Sequence, residues 1–102
     1  MLGFFNDLDV SSEDPHVAAA QYFCTKGFFP DYNARLNEPV TETVLAVWDD
    51  GFHQHLQGTL DPMTFLPLVA TAEREESALT QATRGETLLR YWLQSQEKQP
   101  KQ

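Results

Sequence analysis

The tetrapeptide Thr83-Arg84-Gly85-Glu86 places a hydroxyl, a guanidinium and a carboxylate within four residues. A threonine three positions before a glutamate has capping-box spacing, in which each side chain satisfies the other's backbone N–H at the start of a helix. The same residues offer a second chemistry. The planar fork of Arg84 can clasp a carboxylate through two parallel hydrogen bonds, and Thr83, Arg84 and Glu86 are the candidate binding residues. On the capping reading, Arg84 simply faces solvent. Trp48, Tyr91 and Trp92 could add a sugar-stacking shelf, although aromatic residues at helical spacing are more often part of a core.

Other clusters carry less. His53 and His55 with Asp49 and Asp50 are the one group with metal-ligand character. Only His53 and Asp49, four residues apart, share a helix face, so a solvated helix end is expected rather than a metal site. Asp31, Asn33 and Asn37 echo a calcium loop without its glycine and terminal glutamate. Cys24 lies on an apolar stripe and reads as a buried structural thiol, and the run Glu73-Arg74-Glu75-Glu76 reads as a solvated face. No titratable pair is spaced for acid–base or nucleophilic work, and no Gly-x-Gly-x-x-Gly run occurs. The expectation is a chain with no enzymatic activity, cofactor or metal.

Helices are needed to place these residues. Residues 14–27 carry an Asp14 cap, Pro15 at the first helical position, Val17, Ala20, Phe23 and Cys24 at helical spacing, and Lys26-Gly27 as a stop. Residues 28–39, with Pro30, Asn33, Asn37 and Pro39, read as an ordered loop pinned by Phe28, Phe29 and Tyr32. Thr41 opens a helix whose stripe is Val44, Trp48, Phe52 and Leu56, ending at Gly58. Gly51 inside it implies either a stop near Asp50 or a closely packed neighbour. Asp61-Pro62 starts a short helical turn, Pro67 predicts a kink, and a second piece follows through Ser77. The final helix, capped by Thr83 and Glu86, carries Leu88, Leu89, Tyr91, Trp92 and Leu93. Residues 94–102 read as a polar flexible tail. No stretch alternates apolar and polar residues over a strand's length. The predicted fold is therefore all-α, a small bundle around Val17, Phe23, Val44, Trp48, Phe52, Leu88 and Trp92.

Composition bounds the function. The 102 residues carry 7 Lys+Arg against 15 Asp+Glu, a formal net charge of −8. That balance argues against nucleic acid as a partner. One cysteine excludes an internal disulfide framework. The apolar opening is too short for a signal peptide, and no apolar stretch approaches the ~20 residues of a spanning helix, so the chain as written is expected to be neither exported nor membrane-inserted.

The capping threonines Thr41 and Thr83 each open a tryptophan-bearing helix, and the Asp-Pro starts at Asp14 and Asp61 precede them. This helix, loop, capped helix unit, used twice, resembles the S-layer homology (SLH) repeat. Phe5-Asn6-Asp7-Leu8-Asp9-Val10 resembles the family's opening, residues 16–28 its first helix, Val40-Thr41 its second-helix start, and Thr83-Arg84-Gly85-Glu86 its signature. The repeats would span about 5–58 and 59–93 of a single domain over 1–93. The run Gly27-Phe28-Phe29-Pro30-Asp31-Tyr32-Asn33-Ala34-Arg35 resembles the SLH-like segment at the C-terminal end of some bacterial secreted FAD-dependent oxidoreductases.

The resemblance implies a non-enzymatic accessory module of a larger bacterial, extracytoplasmic protein, docking an adjacent domain or a partner protein. Its alternative implication is a cell-wall polysaccharide anchor, with Arg84 gripping the anionic glycan. Glu42 stands where the first repeat would carry that arginine, and a carboxylate there repels an anion. Docking is therefore expected ahead of anchoring.

Overall fold

Each helix begins where the sequence can close its first turn. In the computed structural model, which describes residues 14–31 and 33–98, the described chain runs α1 (Pro15–Cys24), β1 (Pro39–Thr41), α2 (Glu42–Gln57), α3 (Pro62–Arg74), β2 (Leu79–Thr83) and α4 (Arg84–Lys98). The aromatic opening at 5–10, Tyr32 and residues 99–102 of the expected tail lie outside the described residues. The carboxylates of Asp14 and Asp61 accept from the backbone N–H of His16 and Met63 at 2.9 and 3.0 Å, each beside a proline at the first helical position. The hydroxyls of Thr41 and Thr83 accept from the N–H of Val44 and Glu86 at 3.2 and 3.1 Å. Gly58 closes α2 with φ 75°, a left-handed conformation that costs glycine little.

Three sequence expectations need correction. The described fold is mostly helical but not purely all-α, because β1 and β2 pair antiparallel, with Pro39 opposite Thr83 and Thr41 opposite Leu79. The three residues of β1 are too few to show alternation, and β2, Leu79-Thr80-Gln81-Ala82-Thr83, does not alternate apolar and polar residues. Contacts made across some forty residues order the ribbon instead, including Thr80 Oγ1 donating to the Val40 carbonyl at 2.8 Å. Second, α3 continues through Pro67 as one helix and stops at Arg74 rather than Ser77. The hydrogen bond that Pro67 forgoes would go to the carbonyl of exposed Met63, where water can substitute. Ser77 lies beyond the helix, and its Oγ accepts from the N–H of Thr43 in the first turn of α2 at 3.1 Å. Third, α4 runs past Leu93 to Lys98, and Ser95 is buried with Oγ donating to the Trp92 carbonyl at 2.8 Å.

The core lies between two helix pairs, α1 against α4 and α2 against α3. Phe23, Phe28, Phe29, Trp48, Phe52, Phe65 and Tyr91 form its aromatic centre, so the loop phenylalanines do pack inward. Trp48 donates its indole N–H to the Phe28 carbonyl at 3.1 Å, which fixes the loop over α2 and leaves no buried donor unmet there. Val17, Val44 and Leu88 are buried as expected. Trp92 is only partly so, edge-on to Tyr22 at 5.0 Å between centroids. Gly51 resolves in favour of a close neighbour: a Cβ there would lie 2.2 Å from Cζ of Phe65.

Candidate functional site

The fold separates the three candidate binding residues. Thr83 and Glu86 form the expected capping box on the outside of α4. Glu86 Oε1 accepts from the backbone N–H and the hydroxyl of Thr83 at 3.1 and 3.0 Å. Those two bonds, the backbone one foremost, pull the Glu86 carboxyl below its ordinary range. Asp14 is lowered in the same way by the backbone N–H and then the ring of His16. Both caps border one cleft of about 460 Å³ with His16, Leu36 and Gly85 on its wall.

Arg84 turns the other way. It is 4% exposed, so the solvent-facing expectation is overturned. Its Nε donates to the Ala34 carbonyl at 2.9 Å, and its two terminal nitrogens donate to Oε1 and Oε2 of Glu73 at 2.9 and 2.8 Å. The guanidinium carbon sits 5.0 Å from the Trp48 ring centroid and 5.6 Å from that of Phe29. Glu73 is consequently only 15% exposed in its side chain, and the acidic run at 73–76 is a solvated face only beyond it. Arg84 thus ties α4 to α3 and to the loop, with the bidentate geometry that could have held a ligand turned on the protein itself. The cleft beside it, about 500 Å³, is lined by Asp31, Glu38 and Glu73 against Arg35, Arg74 and Arg84. Three acids facing three bases give no net positive field for an anion.

The aromatic shelf is likewise divided. Trp48 and Tyr91 are buried, with Tyr91 stacked on Phe52 at 4.5 Å and its hydroxyl donating to Asp49 Oδ1. Burial, followed by that bond, pushes the Tyr91 phenol up. The histidines diverge: His53 Nδ1 donates to the Asp49 carbonyl at 2.8 Å, while His55 Nε2 shares a 3.0 Å hydrogen bond with the Tyr22 hydroxyl. His55 is therefore part of the α1–α2 seam and not of a solvated end. Burial, then Lys26, holds its imidazole below the ordinary value. Asp31 accepts from the N–H of Asn33 at 3.0 Å and faces Arg35 at 3.5 Å, closing its own turn. Cys24 is buried.

A surface that the sequence reading missed lies between α2 and α3. It is a groove of about 370 Å³ with Thr43, Ala46, Val47 and Asp50 along one wall and Leu68, Thr71, Ala72 and Glu75 along the other. Thr43, Ala46, Val47 and Asp50 share one face of α2, and Leu68, Thr71 and Ala72 share one face of α3, with Glu75 just past its last residue. The helices run antiparallel, because Thr43 meets Ser77 at one end and Gly51 meets Phe65 at the other. Glu75 therefore closes one end of the apolar strip and Asp50 the other. Leu68 is 54% exposed on it. The available signal was that Leu68 falls outside the inward stripe of Phe65, Val69 and Ala72.

No helix among the described residues is long and apolar enough to cross a membrane. Compared with protein-family models, curated proteins and solved structures, the chain matches none of them.

Proposed function

We propose that this chain is a non-enzymatic interaction module, built from two SLH-like repeats, that docks an adjacent domain or partner protein in a bacterial extracytoplasmic assembly. The order helix, strand, helix occurs twice, and the two copies lock reciprocally. The N–H of Glu42, first residue of α2, donates to Ala78 at 2.8 Å; that of Arg84, first residue of α4, donates to Glu38 at 2.9 Å. Paired Asp-Pro and threonine caps at matching places add to this support for a duplicated unit. The observation that carries the functional reading is the contrast between Arg84, held wholly inside the fold, and the apolar groove left on its surface. A module whose most ligand-ready side chain braces its own elements is suited to scaffolding, and an exposed apolar strip is suited to docking.

Wall anchoring is the lesser reading. It would ask Arg84 to release Glu73, in a chain of net charge −8, for an anionic polymer. A photocrosslinking residue placed at Leu68, with exposed Gln57 as the control position, tests docking in the cells that make the protein. One defined protein or domain adduct from position 68 and none from 57 is expected. Adducts from neither position, together with retention of the chain on purified cell wall, would reverse the ranking.

A further inference from the structure

We infer that the α2–α3 groove receives an amphipathic helix carrying two basic residues seven positions apart with apolar residues between them, an inference that rests on the docking reading above. The floor of the groove is apolar, with Ala46 and Val47 contributed by α2 and Leu68 and Ala72 by α3. Its two carboxylates do not cluster. Asp50 stands beside Leu68 at one end, and Glu75 stands beside Thr43 at the other. Thr43 and Asp50 are seven residues apart on α2, so the groove is about 10 Å long, two turns of helix. A ligand helix laid along it meets an acid, an apolar strip and an acid in that order. The complementary face is base, apolar pair, base at positions i, i+3/i+4 and i+7.

Charge also argues against a second copy of this chain as the occupant. The copy would bring 15 acidic and 7 basic residues to a groove closed at both ends by carboxylates. Exposed Glu42 and Glu76 flank the Glu75 end and extend the same sign outward.

The test is a titration of the full chain, followed by amide NMR, with a synthetic helical peptide bearing Lys at i and i+7 and Leu at i+3 and i+4. A matched peptide with Glu in place of both Lys is the control. The lysine peptide is expected to shift the amides of Ala46, Val47, Leu68 and Thr71. Asp50→Asn with Glu75→Gln should weaken it about three- to tenfold, as two solvent-exposed ion pairs allow, and 0.5 M salt should weaken it comparably. Leu68→Ser should weaken it at any salt, and since these are surface positions the urea midpoints of the variants should match the parent chain. Equal binding of the glutamate peptide, or a concentration-dependent dimer that Leu68→Ser disperses, would overturn the basic partner while leaving docking at this face in place. If neither peptide nor a second copy moves those amides, the docking reading falls with it.

Discussion

Arg84 is held by partners 11 and 50 residues away in sequence, Glu73 and Ala34, and its removal would leave a carboxylate that is nearly shielded from water with weakened support. Arg35 stands 3.7 Å from that carboxylate and is too distant to replace a bidentate pair. Breaking a buried pair from one side costs about 3–5 kcal/mol, so Arg84→Ala should lower the urea-unfolding free energy by an amount of that order. Arg84→Lys should recover only part of the loss, since an ammonium cannot span both oxygens and the Ala34 carbonyl together. The double change Arg84→Met with Glu73→Leu should be more stable than Arg84→Ala, because it removes the orphaned charge as well. An Arg84→Ala chain that unfolds like the parent would show that the guanidinium does not brace α4 against α3. The capping box beside it was legible in the sequence because Thr83 and Glu86 are three residues apart. The fate of Arg84 was not, because nothing local to position 84 records that Glu73 and Ala34 come to meet it.

Gly51 and Phe65 set the approach of α2 to α3. Alanine would improve the intrinsic helix propensity of α2 by up to ~1 kcal/mol, yet its Cβ would lie 2.2 Å from the Phe65 ring, whose own burial leaves it little room to retreat. Overpacking of this kind costs about 1–3 kcal/mol, so Gly51→Ala should destabilise on balance, and Gly51→Ala with Phe65→Leu should regain much of the loss. Thermal or urea unfolding of the three variants checks the order, and a Gly51→Ala chain more stable than the parent would contradict the close approach. The helices themselves were readable because their starts are written in adjacent residues, Asp14-Pro15, Thr41-Glu42, Asp61-Pro62 and Thr83 with Glu86. The ribbon was not readable, because β1 is three residues long with a proline at its start, and its order comes from carbonyls and hydroxyls brought together by the helices. The same limit hid the groove between α2 and α3. Val47 and Leu68 are unremarkable on their own helices and form a strip only when α2 and α3 lie side by side.

At the scale of the molecule, the titrating groups of the fold act in one direction on acidification but over separate ranges. His55, in the seam with Tyr22 and near Lys26, has its imidazole held below the ordinary 6.5. The unfolded chain therefore binds that proton first, and the stability His55 contributes is fully present above about pH 6.5 and is lost as pH falls from there toward its depressed value. The caps Asp14 and Glu86 are also lowered, from ordinary values of 3.8 and 4.5, so what they contribute is retained until well below the histidine range and is lost only as pH falls through their folded values. Acid loss of stability should consequently come in two stages. Urea midpoints measured from pH 7.5 to 3 should fall first below about 6.5, and His55→Gln, which retains a polar contact for the Tyr22 hydroxyl, should flatten that upper stage alone. Glu86→Gln and Asp14→Asn should flatten only the lower one. Because both the parent and the variants carry the other histidines and the same background of negative charge, the difference between their curves isolates the seam. A His55→Gln curve parallel to the parent's between pH 7.5 and 5 would show that the α1–α2 seam does not sense the proton.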